Sequence, residues 1–401
     1  MNPDSHSRPE TPPESRFGVY IHVPFCLSKC GYCDFLSLPL SKISSDYRAR
    51  FAETIRREWL LWREAFPFLS ETPIDSIYFG GGTPSILEPA EIAAILREIE
   101  MDHPVRGFVE YGGAEITLEC NPGTIERARL EAFQAAGVNR ISLGVQGFKQ
   151  RTLENLGRAH CASDSEKAIR AIRDAGFASW AMDLIYGVPE SNLESWREEL
   201  NRTLEIRPPH LSVYGLTLHE GTGMMAEYES GRLRLPDDET QRDMFLLARK
   251  MLREAGYRHY EISNYALPGH ESRHNRLYWT MAQYLGLGPG AHSYLDGSRY
   301  MNSDDLEQWR KDISRGERAA EKDLESSQRS RRGECIMLAL RQCEGVCLDW
   351  LNRVLDCDFQ TEYATEIALC VDRGHLRIRD GHVSLTEEGL LFSDSVFLEF
   401  F

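Results

Sequence analysis

Apolar and polar positions follow two alternating patterns along the first half of the chain. Short and nearly continuous apolar runs alternate with amphipathic stretches whose apolar positions recur at helical spacing. The runs are residues 19–23, 74–79, 116–118, 141–145, 180–185 and 211–216, and the amphipathic stretches between them are residues 44–66, 89–99, 125–136, 165–175 and 193–206. Repeated strand–helix units with strands that are apolar throughout predict a parallel sheet covered on both faces.

The positions of the polar residues favour a barrel over a doubly wound sheet. Residues 80–85 follow the second apolar run, Glu119 the third and Gln146 the fourth, and Asp183 lies within the fifth. Barrels build their ligand sites from the carboxyl ends of many strands, whereas a doubly wound sheet uses one switch point. Because six units are visible, the sequence predicts an α/β fold with a partial (β/α)6 TIM-like barrel.

The alternation of apolar runs and amphipathic stretches ends after the sixth apolar run. Further elements are predicted as a helix at 238–255, a short strand or loop at 260–265, a Gly-rich segment at 284–294, a charged linker at 315–332, helices near 334–341 and 361–372, and paired strands at 376–379 and 382–385. The last helices and strands predict a small α+β, winged-helix-like domain. The predicted organisation is a disordered lead at 1–16, a barrel at 17–245, a connecting segment at 246–332 and a C-terminal domain at 333–401.

Composition and charge exclude several classes of protein. The chain has 401 residues with 42% hydrophobic and 27% charged, which is typical of a soluble globular protein. Its formal net charge of −16 argues against nucleic acid as the main partner. We find no apolar run of about 18 residues and no signal-peptide pattern, so we expect a cytoplasmic protein without a transmembrane segment.

Three closely spaced cysteines are the strongest chemical signal. Cys26, Cys30 and Cys33 lie in the sequence Y-I-H-V-P-F-C-L-S-K-C-G-Y-C-D-F, just after the first predicted strand. Three thiolates can hold three irons of a cubane 4Fe–4S cluster and leave the fourth iron open, as a catalytic cluster requires. A structural zinc ion normally takes a fourth protein ligand, which His22 would have to supply, so zinc is the weaker alternative.

The C-x3-C-x2-C spacing, with Tyr32 before the last cysteine, resembles the radical S-adenosylmethionine superfamily. This resemblance implies that the amino and carboxylate groups of S-adenosylmethionine chelate the open iron, and that one-electron reduction cleaves the molecule to a 5′-deoxyadenosyl radical. The segment G-G-G-T-P-S, with Gly81, Gly82 and Thr83, resembles the methionine-binding segment of that superfamily. Glycines allow a ligand to approach the backbone closely.

Further polar residues are expected around the same ligand. The resemblance implies nucleoside contacts from Glu119, Gln146, Arg158 and Asp183, although each alone fits a solvated or capping residue better. Tyr20 and Tyr32 are predicted to line the same pocket, with ordinary core packing as the alternative. Together these residues form the predicted S-adenosylmethionine site.

Longer motifs narrow the resemblance. The segments Y-F-G-G-G-T-P-S, N-R-I-S-L-G-V-Q, M-D-L-I-Y-G-V-P and L-S-V-Y-G-L-T-L resemble the oxygen-independent coproporphyrinogen III oxidase-like family. Within it, Y-E-I-S-N-Y-A, H-N-R-L-Y-W and Y-L-G-L-G-P-G-A-H-S resemble the HemW-type branch of haem chaperones. The resemblance implies a protein that binds haem and delivers it to haem-acceptor apoproteins, and it leaves open whether the protein forms a homodimer.

The alternative function is that of the oxidase, which decarboxylates coproporphyrinogen III propionates in porphyrin biosynthesis. Two departures from the oxidase pattern weaken it. Oxidases of this family carry a fourth cysteine two positions after the third, where this chain has Phe35, and they have a longer arm than the 25 residues that precede Cys26. A radical enzyme acting on haem itself is a third and weaker alternative.

The segment H-N-R-L-Y-W indicates where haem could bind. Imidazole is a common axial haem ligand, and the resemblance to the HemW-type branch makes His274 the predicted ligand, in a partly exposed segment. Tyr278 and Trp279 could stack on the porphyrin, and Arg273 or Arg276 could pair with a propionate. The alternative is a polar histidine in a loop beside two core aromatics. His292, for which a structural role is the alternative, and the cysteines of the C-terminal domain are the next candidate ligands.

Overall fold

The computed structural model describes residues 17–101, 113–323 and 327–401, so the lead at 1–16 lies outside the described residues. The strands are β1 (Phe17–Val23), β2 (Phe25–Cys26), β3 (Leu38–Pro39), β4 (Ile74–Gly81), β5 (Glu115–Cys120), β6 (Arg140–Gln146), β7 (Ser179–Tyr186), β8 (His210–Gly215), β9 (Arg258–Glu261), β10 (Asn264–Ala266), β11 (Gln283–Leu287), β12 (His292–Leu295), β13 (Ser298–Asn302), β14 (Ala320–Lys322), β15 (Val346–Cys347), β16 (Leu376–Arg379) and β17 (His382–Leu385).

The α-helices alternate with the strands in the first half and cluster near the end of the chain. They are α1 (Ser45–Ala65), α2 (Pro89–Met101), α3 (Arg127–Ala135), α4 (Gln150–Asn155), α5 (Ala162–Asp174), α6 (Leu193–Ile206), α7 (Gly223–Glu229), α8 (Asp238–Glu254), α9 (Arg273–Trp279), α10 (Leu306–Arg315), α11 (Gln328–Leu340), α12 (Leu348–Leu355), α13 (Phe359–Glu362), α14 (Ala364–Asp372), α15 (Glu387–Leu391) and α16 (Ser393–Leu398).

One large sheet organises the described residues from Phe17 to Lys322. Its strand order is β14-β13-β12-β11-β1-β4-β5-β6-β7-β8-β10-β9. The strands from β11 to β8 in this order run parallel, and the other pairs are antiparallel. All six apolar runs of the sequence form strands of the parallel part, and their side chains are buried on both faces in β1 and β6.

The sheet curves into an incomplete barrel, as predicted. The strand order is open within the described residues, with β14 and β9 as its two edges. Nevertheless, Tyr78 on β4 lies close to Asp183 on β7 and to Tyr214 on β8. Burial is the main cause of the raised pKa of Tyr78, and the charges of these two residues add to the rise. Side chains from strands that are not neighbours therefore converge on one concave face, which we call the inner face.

The segment predicted as a connection contributes strands to both edges of this sheet. Strands β9 and β10 follow β8, and β11 to β14 extend the sheet beyond β1. The charged stretch 315–332, predicted as a linker, contains β14 and the start of α11. Charged side chains are common on an edge strand because they oppose pairing with another chain, so the charge pattern concealed this strand.

The C-terminal domain has a separate three-stranded sheet, β15-β17-β16, packed against α11 and α12. Strands β16 and β17 have the bounds predicted from the sequence, and they are joined by Asp380 and Gly381, which both have positive φ. Such a two-residue turn matches the twist of the hairpin. The buried residues of the C-terminal domain form a second hydrophobic core, separate from that of the barrel. No α-helix in the described ranges is long and apolar enough to cross a membrane.

Candidate functional site

A cavity of about 360 Å³ opens at the carboxyl ends of the barrel strands. Most of the residues predicted to bind the cluster and S-adenosylmethionine share its wall. These are Cys26, Cys30, Tyr32, Cys33, Gly81, Gly82, Thr83, Glu119, Gln146, Arg158 and Asp183. Residues from at least five segments of the chain therefore meet at one site, as expected for a barrel.

The three cysteines lie on the loop that begins at the end of β2. Each is a free cysteine, and Cys26 is the most buried of them, with 8% of its surface exposed. The hydroxyl of Thr83 lies 3.7 Å from the Cys26 sulfur, and a guanidinium nitrogen of Arg158 lies 3.6 Å from the Cys30 sulfur. Both donors can hydrogen-bond to these sulfur atoms when the cysteines ligate iron.

The arrangement of the sulfur atoms does not suit a mononuclear metal ion. Among residues 17–101, 113–323 and 327–401, no three His, Cys, Asp or Glu side chains are arranged to hold one metal ion. The Nε2 atom of His22, the one suggested fourth zinc ligand, lies 2.7 Å from the carbonyl oxygen of Leu36. The geometry therefore argues against the zinc alternative. Cubane coordination places each thiolate on a different iron and so allows wider spacing.

Two buried polar atoms in the wall lack a hydrogen-bond partner among the described residues. They are Oε1 of Gln146 and Nε of Arg158. Gln146 also has a positive φ of 66°, which is uncommon for a residue with a side chain. Buried polar groups are nearly always paired in proteins, so unpaired atoms on two lining residues leave hydrogen-bonding capacity for a polar ligand. The polar groups of the wall therefore fit a polar ligand such as S-adenosylmethionine.

The glycine segment is bound to the strand that leads into the cysteine loop. The Gly82 amide donates a 2.8 Å hydrogen bond to the Val23 carbonyl, and the Thr83 amide donates one of 2.6 Å to the Phe25 carbonyl. A Cβ atom at Gly82 would lie 2.5 Å from the Phe25 carbonyl oxygen. Only glycine allows this approach, and it brings the backbone of the segment beside the cysteine loop.

Two carboxylates form the floor of the cavity. Glu119 accepts a 2.8 Å hydrogen bond from the Tyr78 hydroxyl and one of 3.1 Å from the Gly81 amide. Burial raises the pKa of Glu119 to about 7, with the two hydrogen bonds opposing and the charge of Asp183 adding to the rise. Burial also raises the pKa of Asp183, which Ser212, Arg140 and Ser142 oppose. Two acidic groups held this way can accept hydrogen bonds from ribose hydroxyls.

Asn121 is a wall residue that the sequence analysis missed. Its side-chain oxygen accepts a 2.5 Å hydrogen bond from Arg158, and its side-chain nitrogen donates one of 2.8 Å to Thr83. It therefore connects the arginine beside Cys30 to the threonine beside Cys26. Asn121 lies two positions after Glu119, and period-two spacing at a strand end was the available signal.

Tyr20 is not among the residues that line this cavity. Its hydroxyl lies 3.1 Å from Nδ1 of His22, and its ring stacks on that of Tyr78 with centroids 6.2 Å apart. Its contact with S-adenosylmethionine stays a prediction. Tyr32, in contrast, lines the cavity, where its hydroxyl lies 3.4 Å from Arg158.

His274 is buried, so the prediction of a partly exposed histidine is wrong. Only 1% of its surface is exposed; Nδ1 lies 2.8 Å from the Ser76 hydroxyl, and Nε2 lies 2.8 Å from that of Tyr278. Burial, together with the charge of Arg140, lowers its pKa to about 3. The cause of the error is α9, which Ser272 caps and which turns His274 and Leu277 inward. With both ring nitrogens engaged, His274 cannot ligate iron in this conformation.

Comparison with known proteins places the chain in a class and then in a family. The sequence profile of the Radical SAM superfamily matches residues 20–202, and that of the HemN C-terminal domain matches residues 327–392. The fold is similar to that of coproporphyrinogen III oxidase (HemN) from Escherichia coli, with a TM-score of 0.79 and 22% identity, covering 97% of this chain and 91% of the oxidase. The chain thus has the radical S-adenosylmethionine fold, and this class implies a 4Fe–4S cluster and S-adenosylmethionine as cofactors.

Two relatives define the family more narrowly. The haem chaperone HemW of Lactococcus lactis is 32% identical over 95% of this chain and 96% of its own length. The haem chaperone HemW of Escherichia coli is 33% identical over 96% of this chain and 97% of its own length. The chain belongs to the HemW family.

Proposed function

We propose that this protein binds haem and delivers it to haem-accepting proteins. The support comes from relatives that are named haem chaperones and that match almost the whole chain. We further propose that Cys26, Cys30 and Cys33 hold a 4Fe–4S cluster in the cavity, and that the remaining wall residues hold S-adenosylmethionine.

The wall offers a distinct group for each part of S-adenosylmethionine. The backbone of Gly81 and Gly82, beside the cysteine loop, would receive the methionine end. Glu119 and Asp183 would accept hydrogen bonds from the ribose, and the unpaired Oε1 of Gln146 would accept one from a donor on the ligand. When bound, a reduced 4Fe–4S cluster supplies an electron to S-adenosylmethionine. The protein's own residues bind the two cofactors and keep them side by side.

Phe35 is the observation that separates a haem carrier from the oxidase. It stands where oxidases of the resembling family have a fourth cysteine, it lines the cavity, and 62% of its surface is exposed. A phenyl group can neither ligate iron nor exchange a proton. An exposed aromatic ring does provide apolar contact surface at the mouth of the cavity. The likeness of the fold to the oxidase, at 22% identity, does not favour oxidase activity.

Two anaerobic assays on the reconstituted protein test this proposal. The first titrates haemin into the protein and follows the Soret band; we expect saturation at a fixed stoichiometry. The second adds coproporphyrinogen III, S-adenosylmethionine and reductant, with the Escherichia coli oxidase as positive control; we expect no protoporphyrinogen. Absence of haem binding, or multiple turnovers of coproporphyrinogen, would refute the proposal.

A further inference from the structure

A second cleft, of about 250 Å³, lies away from the cysteine cavity and between the barrel and the C-terminal domain. Helix α9, strands β11 to β13 and helix α11 form its walls. The lining residues are Tyr278, Trp279, Met281, Ala282, Tyr284, Tyr294, Arg299, Glu334 and Leu338. The end of the H-N-R-L-Y-W segment is therefore part of a cleft even though its histidine is buried.

The strand register brings an imidazole to the same surface. Tyr284 is paired with Tyr294, Tyr294 with Arg299, and His292 with Met301. Side chains of paired residues point to the same side of a sheet, and so do those two positions apart on one strand. These five side chains consequently share one face, which continues the inner face of the barrel beyond β1. His292 is exposed, and Met301 is 48% exposed.

The groups on this face combine three kinds of chemistry. Tyr284, Tyr294 and Trp279 provide aromatic surface, and the guanidinium of Arg299 lies 5.7 Å from the centre of the Tyr294 ring. Arg299 is held by Glu334 at 2.6 Å and by the Tyr284 hydroxyl at 2.8 Å. The indole nitrogen of Trp279 is buried and has no hydrogen-bond partner among the described residues.

His292 is suited to binding a metal centre. Its side chain is exposed on the sheet face that also carries Tyr294 and Arg299 of the cleft wall. Met301, its neighbour across the strand pair, carries a thioether, a second type of haem ligand. Burial and then the charge of Arg299 lower the pKa of His292, while Glu334 opposes them. An unprotonated imidazole has a lone pair that can bind a metal ion.

We propose that this face binds one edge of haem, with His292 as an axial ligand of the iron and Arg299 beside a propionate. This inference rests on the proposed function, which supplies haem as the occupant. Aromatic surface, an imidazole and a guanidinium together match a flat macrocycle that carries a metal ion and carboxylates. Because small-molecule pockets that enclose a ligand generally hold about 300–1,000 Å³, a cleft this small leaves much of the haem uncovered. Such a site can release its ligand to another protein.

The test is a haemin titration of the cluster-loaded protein, monitored by the Soret band. His292→Ala should lower the affinity by at least about tenfold and shift the Soret maximum, since an axial ligand is lost. His292→Cys should restore binding with the spectrum of a thiolate ligand, which a merely structural role would not produce. Arg299→Gln should weaken binding while leaving the Soret position unchanged, because a propionate contact does not touch the iron.

Two control variants make the outcome decisive. His382→Ala changes a histidine on the hairpin of the C-terminal domain that does not line the cleft, and it should behave like wild type. His219→Ala changes a histidine at the mouth of the cysteine cavity. An unchanged Soret band in His292→Ala, or loss of the band in His219→Ala instead, would overturn this site while leaving haem binding intact. If the wild-type protein bound no haemin, the proposed function would fail and this inference with it.

Discussion

The Nε2 atom of His274 lies 2.8 Å from the hydroxyl oxygen of Tyr278, one helical turn later in α9. This contact joins two environments: His274 lies inside the barrel, and the ring of Tyr278 forms part of the second cleft. On the barrel side the His274 ring stacks on Tyr78, with centroids 5.2 Å apart, and Tyr78 in turn bonds Glu119 in the cysteine cavity. The histidine of the H-N-R-L-Y-W segment thus connects two sites and occupies neither.

Substitution of this histidine should affect stability more than haem binding. His274→Ala leaves the hydroxyls of Ser76 and Tyr278 without their partner and opens a cavity in the barrel. We expect the free energy of unfolding to fall by about 2–4 kcal/mol, as measured by denaturant titration. The Soret position should not change. A shifted Soret band in a variant as stable as wild type would show instead that His274 reaches the iron.

The cluster should depend on the three loop cysteines and on no others. Serine at Cys26, Cys30 or Cys33 removes one thiolate ligand, so the brown chromophore formed on anaerobic reconstitution should disappear. Iron and sulfide analysis with absorption spectroscopy provides the measurement. Cys343→Ser and Cys347→Ser, which change cysteines of the C-terminal domain, are the controls and should keep the cluster. The reverse pattern would refute the assignment.

Gly81 should be required for S-adenosylmethionine binding. It has a φ of 107°, and a Cβ atom there would lie 2.5 Å from the His22 ring, so Gly81→Ala must displace the segment. We expect a loss of affinity of at least about tenfold by calorimetry. Gly123→Ala is the matched control, because the nearest atom to its Cβ is 3.9 Å away. Equal affinities in the two variants, both with full cluster content, would remove Gly81 from the site.

The affinity for S-adenosylmethionine should rise with pH through the titration of Glu119. Because its pKa is raised from 4.5 to about 7, the carboxyl group is mostly protonated in the free protein at pH 6 and mostly ionised at pH 8. Ribose hydroxyls and a sulfonium group favour the ionised form, so affinity should increase by about tenfold over this interval. Glu119→Gln should bind more weakly and lose this part of the pH dependence. A wild-type profile in Glu119→Gln would contradict the role.

The same raised pKa predicts the opposite trend for stability without ligand. The native state retains the Glu119 proton up to about pH 7, whereas the unfolded state releases it near pH 4.5. The native state therefore binds more protons in this interval, and the contribution of Glu119 to stability falls as the pH rises from 4.5 to 7. Denaturation of wild type and Glu119→Gln at several pH values measures this difference. Parallel curves would show that Glu119 is not buried in solution.

The elements with a clear periodicity could be predicted from sequence. The six apolar runs became parallel strands because strands buried on both faces are apolar throughout. The paired strands β16 and β17 have the predicted bounds, and Asp380 and Gly381, both with positive φ, form the turn between them. Strands β11 to β13 were harder to predict, since glycines in 284–294 resemble a loop. Gly286 is required there by sheet packing, as its Cβ would lie 2.2 Å from the His292 carbonyl oxygen.

Site residues could be predicted where a sequence motif lies at the end of a strand. They were harder to predict where the role of a residue depends on whether its side chain is buried. The cysteines and Glu119 are at the ends of elements, and the structure brings them to one cavity. The positions of Tyr20 and His274 depend on which way a strand or a short helix faces, and one sequence does not determine that direction. The pairing of His292 with Met301 depends on strand register, which the sequence alone also does not give.

Release of haem to an acceptor is the property that defines a haem carrier. The most direct measurement loads the cluster-containing protein with one equivalent of haemin, adds excess apomyoglobin, and follows the Soret band with time. Because the proposed site leaves much of the haem uncovered, we predict complete transfer and a final spectrum of myoglobin, with the iron–sulfur absorbance unchanged. A protein that takes up no haemin, or that retains it against apomyoglobin while converting coproporphyrinogen III, would contradict the account.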